Sequence, residues 1–209
     1  MNIEQFVELL GQEKASAILR TNNQQKAALA MEAAIRGGFK IIEFTLTIPG
    51  VFELIQDFSK RGDVVVGAGT VLNTKEAEQS VNAGAQFLVS PVVDESVIRK
   101  ANELGVASIP GTHTATEMLQ AHTAGATFCK LFPAPGSGPN YIKAMLGPLP
   151  FLKIIPTSGA DQFNAGEWIA AGAYAVGFVA PLFEPGFIAD SNWDAIEQRA
   201  AECLRAARS

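Results

Sequence analysis

Cysteine is scarce in this sequence: 209 residues hold two, Cys129 and Cys203. They lie far apart, with no CxxC and no cysteine–histidine ligand spacing. That excludes a disulfide scaffold and reads as reduced thiols. Histidine is as rare, with His113 and His122 alone, so neither a histidine base nor a zinc centre is expected, and no metal or other cofactor is called for. Charged residues make up 18% of the chain, and 16 basic against 21 acidic side chains leave a net charge of −5. The basic residues are scattered and form no stripe, so nucleic acid is not an expected partner. No apolar run reaches membrane-spanning length, and the opening residues Met1–Ala15 carry acids early and no signal core. The expectation is a soluble, unprocessed, cytoplasmic protein without a membrane partner.

Hydrophobic residues are what the sequence has in plenty, at 48%. In a chain of this length they suffice for one large core and predict a single domain over residues 1–209. Eight short apolar runs rich in Val, Ile and Phe stand out: Ser16–Arg20, Phe39–Leu46, Val64–Ala68, Gln86–Ser90, Ala107–Pro110, Thr127–Phe132, Phe151–Pro156 and Ala173–Val179. They are continuous more than alternating, as strands covered on both faces should be. Segments of helical period or composition lie between and after them: Gln24–Arg36, Val51–Lys60, Thr74–Ala83, Glu95–Leu104, Ala115–Ala124, Tyr141–Leu146, Asp161–Ala171 and Trp193–Ala206. Four of these end in similar small-residue breaks around Gly37-Gly38, Gly84, Gly125 and Gly172, the usual helix stop. Eight strand–helix units predict an α/β fold of the (β/α)₈ TIM-barrel type, with a first helix Ile3–Gly11 capping its bottom. A doubly wound open sheet is the alternative, and it fits less well. No Gly-x-Gly-x-x-Gly follows the first strand, and Gly67-Ala68-Gly69-Thr70-Val71, read as following the third, lacks the last glycine.

Barrel chemistry sits at the C-terminal ends of the strands, so ionisable residues inside or just after the apolar runs are the informative ones. Arg20 ends the first run, Glu43 lies within Ile41–Phe44, and Lys130 lies within Phe128–Phe132. A strand covered on both faces has no solvated side for a charge, so each must be paired, neutralised or functional. The structural reading of Glu43 and Lys130 is a buried ion pair, and that of Arg20 a solvated strand end. The chemical reading uses all three. A lysine among phenylalanines and near an arginine has its ammonium form disfavoured, and the free amine attacks a ketone. A buried carboxylate then moves protons, and a guanidinium holds the carboxylate of a 2-keto acid at two points. Spacing does not separate Lys130 from Lys153, which also stands three residues ahead of a proline. His113 reads as a loop residue near the mouth, His122 as surface, and Trp168 and Trp193 as packing residues.

Several segments resemble the family of 2-keto-3-deoxy-6-phosphogluconate, 2-keto-3-deoxy-6-phosphogalactonate and 4-hydroxy-2-oxoglutarate aldolases: Ala17–Arg20, Gly38–Leu46, Val66–Leu72, Ser90-Pro91, Ile109–Thr112 and Cys129–Ala134. Gly138–Ala144 looks like the phosphogalactonate branch. The resemblance implies a metal-free (β/α)₈ barrel, a homotrimer, and a class I aldolase that joins or splits pyruvate and an aldehyde. It also implies Lys130 as the Schiff-base residue, Glu43 as the general acid/base, and Arg20 as the phosphogalactonate-type arginine. Thr70, Pro91 and Phe132 match positions lining the pyruvate end.

Two turns depart from the family. Thr157-Ser158-Gly159-Ala160 stands where a Gly-Gly pair is common, and Gly177-Phe178-Val179-Ala180-Pro181 where a glycine- and serine-bearing turn is common. Thr157, Ser158 and Gly159 remain as a weaker phosphate site, and Asp161, expected to cap the seventh helix, adds negative charge beside it. The expectation is therefore a preference for a short, unphosphorylated aldol such as 4-hydroxy-2-oxoglutarate. Rival functions are a sugar-phosphate isomerase or epimerase using Glu43 as a carbon base, and a non-catalytic barrel that binds a small acid.

Overall fold

The computed structural model describes residues 1–209. Helix α1 (Ile3–Glu13) opens the chain, held at its start by a reciprocal Asn2–Gln5 capping box. Strands and helices then alternate: β1 (Ala15–Leu19), α2 (Gln24–Arg36), β2 (Ile41–Thr45), α3 (Val51–Ser59), β3 (Val65–Gly69), α4 (Thr74–Asn82), β4 (Phe87–Val89) and α5 (Glu95–Glu103). The second half runs β5 (Ala107–Ile109), β6 (Gly111–Thr112), α6 (Ala115–Thr123), β7 (Cys129–Leu131), α7 (Asn140–Leu146), β8 (Ile154–Pro156), α8 (Ala165–Ala170), β9 (Val176–Phe178), α9 (Pro185–Ala189) and α10 (Trp193–Ala207). Local sequence sets most of these boundaries. Asn23, Asn73, Asp94 and Thr114 cap α2, α4, α5 and α6 by accepting from backbone N–H groups. Past four helix ends, Gly38, Gly84, Gly125 and Gly172 adopt φ between 95° and 109°, which a side chain would oppose.

All strand pairs are parallel. Six strands pair in the order β5-β4-β3-β2-β1-β9, and three more in the order β6-β7-β8. Individual bonds cross both seams between these arcs. On one side Phe128 N donates to Ser108 O (3.2 Å) and Lys130 N to Pro110 O (2.9 Å). On the other Tyr174 N donates to Ile154 O (2.8 Å), and Thr157 bridges Gly177. The architecture is thus an α/β fold with a curled parallel sheet.

Alternation of side chains along each strand separates two apolar layers. Ile41, Val65, Phe87, Val89, Ala107, Ile109, Phe128 and Ile155 point inward, and Phe6 and Leu10 of α1 join them from below. Phe6 stacks on Phe87 at 4.7 Å and meets Phe128 edge-on at 6.1 Å, closing the bottom of the curl. Full burial of one such ring contributes roughly 1.5–3 kcal/mol. Residues of opposite phase, among them Leu19, Ile42, Phe44, Val66, Leu88, Leu131 and Phe178, face the helices in the larger outer layer.

Several expectations need correction. Pro110 has no N–H to give the ladder, so the fifth run splits there and strand structure resumes at Gly111–Thr112. Gly67-Ala68-Gly69 does not follow β3 but forms its end. A Cβ on Gly67 would lie 2.3 Å from the Phe87 ring, so this glycine answers a crossing side chain and not a turn. Asp161 does not cap α8, which begins at Ala165. Its carboxylate accepts from Phe163 N and Asn164 N and builds a separate turn. Helix α9 was not expected, because five residues opening on Pro-Gly show no period. No helix is long and apolar enough to cross a membrane.

Candidate active site

The inward phase of each strand decides what reaches the upper end of the curl. In β2 that phase carries Ile41, Glu43 and Thr45; in β7 it carries Lys130, with Phe128 just before the strand. Glu43 is 2% exposed and Lys130 7%. The two line one chamber with Ser16, Ile18, Thr157 and the apolar floor of Phe6, Phe87, Val89 and Ile155. Its residual volume of about 10 Å³ is near the least that holds one water. The interior around the pair is packed.

Burial governs both titrations. Desolvation drives the Lys130 amine below the usual lysine range, with Arg20 pushing the same way and the Glu43 charge opposing. Desolvation also drives the Glu43 carboxyl above the usual carboxylate range, against the charges of Lys130 and Arg20. Burial thus biases each group toward its neutral form, while their mutual attraction opposes that bias. The Phe132 ring centroid lies 4.7 Å from Lys130 Nζ and covers it. The backbone of Lys130 is fixed as well: its N–H donates to Pro110 O, and its carbonyl accepts from Thr112 Oγ1 at 3.0 Å.

Glu43 has its room because β3 ends in glycine. A Cβ on Gly69 would stand 1.8 Å from Glu43 Oε1, so the carboxylate lies across that backbone. The sequence pattern marked Gly69 only as part of a glycine motif; the contact that explains it is tertiary. Thr45 Oγ1 and Thr47 Oγ1 share a hydrogen bond at 2.8 Å on the strand end beyond Glu43, another feature the sequence reading passed over.

Arg20 falls one residue past β1 and is exposed. Its Nη2 donates to Thr70 Oγ1 at 3.4 Å, over the end of β2 from β1 to β3. Pro91 and Phe132 line a recess of about 280 Å³ on the other side of the mouth with Gly111, Thr112 and His113. His113 is exposed, and its backbone N–H is held by Glu117. Thr157 is buried and belongs to the chamber wall, whereas Ser158 and Gly159 are exposed with φ of 65° and 127°. The N–H groups of Ser158, Gly159 and Ala160 donate to no acceptor within the chain. Val179, Ala180 and Pro181 follow β9, whose Gly177 bridges Thr157, and they bring two N–H groups and no hydroxyl.

The structure separates the two lysines that spacing left equal. Lys153 precedes the first residue of β8 and so lies at the bottom of the curl, where it lines a cavity of about 480 Å³ with Glu4, Glu8, His122 and Phe151. This is larger than any opening near Glu43, yet it holds none of the mouth residues. His122 is there too, with its ring 4.7 Å from that of Phe151. Trp168 is buried and Trp193 half-buried, both in outer helices. No group of three or more His, Cys, Asp or Glu side chains is placed to hold a metal ion.

The sequence matches the KDPG and KHG aldolase family over residues 7–199. It is 36% identical over 193 residues to a probable 2-dehydro-3-deoxy-6-phosphogalactonate aldolase of Rhizobium meliloti (strain 1021), covering 91% of this chain and 89% of that one. The fold superposes on a native KDPGal structure with a TM-score of 0.84 at 32% identity, over 93% and 94% of the two chains. It also superposes, with a TM-score of 0.85 at 32% identity over 93% and 72%, on a cube-shaped protein cage designed by fusing symmetric oligomeric domains.

Proposed function

Because the chain belongs to the KDPG and KHG aldolase family, we propose that Lys130 and Glu43 are the catalytic pair of a class I, metal-independent aldolase acting on pyruvate-derived 4-hydroxy-2-keto acids. The observation that carries the assignment is their placement: a buried amine and a buried carboxyl, each biased toward neutrality, on facing strands of one chamber. In the cleavage direction the Lys130 amine attacks the C2 ketone, and the new C–N bond sends the carbonyl electrons to oxygen, which takes a proton from Glu43. Loss of that oxygen as water leaves an iminium. The Glu43 carboxylate then removes the C4 hydroxyl proton, the C3–C4 bond breaks, and its electron pair enters the iminium as an enamine while the aldehyde departs. Protonation at C3 and hydrolysis return pyruvate and the free amine.

Arg20 and Thr70 are the proposed clamp on the keto-acid carboxylate, with Pro91 and Phe132 as the apolar walls of the pyruvate end. Replacing Arg20 with lysine keeps the charge and loses the planar fork. The expected result for Arg20→Lys is a Michaelis constant for pyruvate raised about tenfold with kcat little changed. An unchanged constant would place Arg20 outside the site.

The bonds across both seams support reading the two arcs as one closed (β/α)₈ barrel forming a single domain, and the likeness to a chain fused from symmetric oligomeric domains supports a homotrimer. Cytoplasmic residence is part of the same proposal.

At the distal end, the bulk of Val179 and Ala180 and the missing N–H of Pro181 support the short, unphosphorylated 4-hydroxy-2-oxoglutarate as preferred substrate. One observation favours a phosphorylated sugar acid instead: the N–H groups of Ser158, Gly159 and Ala160 have no acceptor in the chain and lie in a turn with two positive-φ residues, the kind of turn that can cradle an anion. Measuring kcat/KM for both substrate types on one preparation, with inorganic phosphate as competitor, decides between them. Preference for the short aldol with weak phosphate inhibition is the expected result. A clear advantage for the phosphorylated substrate would assign the cradle to phosphate.

A further inference from the structure

Thr70 stands in the left-handed region, at φ 62°, where a residue with a side chain is strained and stays only if its surroundings over-determine it. Here they do. Gly69 O accepts from Leu46 N at 2.8 Å, Val71 N donates to Val89 O at 3.1 Å, and Leu72 N donates to the Glu76 carboxylate at 2.7 Å. The remaining tie is a side chain: Ser90 Oγ donates to Val71 O at 2.7 Å, and Ser90 is 5% exposed. Ser90 is itself tied to the next strand. Its N–H donates to Ile109 O, and the carbonyl of Pro91 lies so close to β6 that a Cβ on Gly111 would be 2.2 Å from it.

We propose that Ser90 is a positioning residue for the aldol reaction: by fixing the Val71 carbonyl it keeps Thr70 left-handed, with Thr70 Oγ1 turned toward Arg20 and the substrate carboxylate. This inference rests on the Arg20–Thr70 clamp proposed above. Ser90 touches no reacting atom and acts one peptide away, through the turn. Removing its hydroxyl leaves a buried carbonyl without its donor, and the turn relaxes toward an ordinary conformation that carries Thr70 Oγ1 away from Arg20. Pyruvate affinity then falls while Lys130 and Glu43 keep their places.

The test is a set of variants assayed for the Michaelis constant of pyruvate, kcat and melting temperature. Ser90→Ala is expected to raise the constant about tenfold with kcat within about twofold, and Ser90→Thr, which keeps the hydroxyl, to restore it. Thr70→Val should raise the constant similarly, and adding Ser90→Ala to it should change nothing more. Leu204→Ala, a core truncation in α10 remote from the mouth, should lower the melting temperature and leave the constant alone. Should Ser90→Ala not fold, Ser90→Cys, with a weaker donor of similar size, serves in its place. An unchanged constant in the Ser90 variant overturns the proposal. An equal rise in the Thr70→Val background also overturns it, while leaving the clamp intact. An unchanged constant in Thr70→Val itself removes the clamp and the inference together.

Discussion

Lys130→Ala is expected to lower kcat for carbon–carbon cleavage by on the order of 10⁴-fold or more, because a covalent nucleophile has no substitute in a packed chamber. Borohydride added in the presence of pyruvate should inactivate the unmodified enzyme and place the added mass on a peptide containing Lys130. Lys153 provides the internal control. It carries the same amine and the same spacing to proline, but it stands at the other end of β8 among Glu4, Glu8 and His122. Label on Lys153, or cleavage activity retained in Lys130→Ala, would refute the assignment. A sugar-phosphate isomerase using Lys130 only as an electrostatic aid would show no adduct at all.

Glu43→Gln is expected to cut turnover by roughly 10²-fold or more while the pyruvate adduct still forms, since the amide keeps the shape and loses the transferable proton. It also makes a prediction of definite sign for the pH dependence of adduct formation. Lys130 attacks only as the free amine, so the rate of borohydride trapping falls on the acid side as Lys130 gains its proton. Burial lowers the Lys130 pKa, and the Glu43 charge partly restores it. Removing that charge in Glu43→Gln lowers the pKa further, and the acid limb moves to lower pH. Removing the Arg20 charge in Arg20→Gln acts in the opposite sense, since Arg20 lowers the Lys130 pKa, and the limb moves to higher pH. Limbs that fail to separate in these directions would mean that the charges of Glu43 and Arg20 do not reach Lys130.

Much of this site was legible because a charge in a doubly covered strand is conspicuous: Glu43 and Lys130 stand out against Ile41–Phe44 and Phe128–Phe132 whatever the fold. What local pattern could not supply was which end of a strand each residue occupies. Lys130 lies inside β7 and points up the curl, whereas Lys153 lies one residue before β8 begins. That difference of a residue or two decides between mouth and floor, and strand ends are the least certain part of a sequence reading. Arg20 shows the same limit from the other side, falling just past β1. The (β/α) alternation was visible from composition and helix stops, but the interruption at Pro110 belonged to the hydrogen-bond ladder. Gly69 and Ser90 were out of reach for a further reason. Their meaning lies in Glu43 and Val71, residues on neighbouring strands or loops, and no period along the chain reports such a crossing. At Asp161 the sequence offered a good helix cap, but Asp161 and Asn164 bond to each other in a turn, and α8 begins only after it, with no side-chain cap.

The floor of aromatic rings under the chamber has a kinetic consequence. Phe6, Phe87 and Phe128 close the lower end, and about 10 Å³ remains above them, so there is no back door: whatever enters by the mouth must leave by it. With Lys130 as the proposed nucleophile, the three carbons joined to it would be the deepest part of a substrate, and the aldehyde half would stand between them and solvent. Traffic is therefore queued. In cleavage the aldehyde departs first and pyruvate last; in synthesis pyruvate must be seated before the aldehyde arrives. A single-ended vessel imposes an ordered sequence of arrivals and departures without any moving gate.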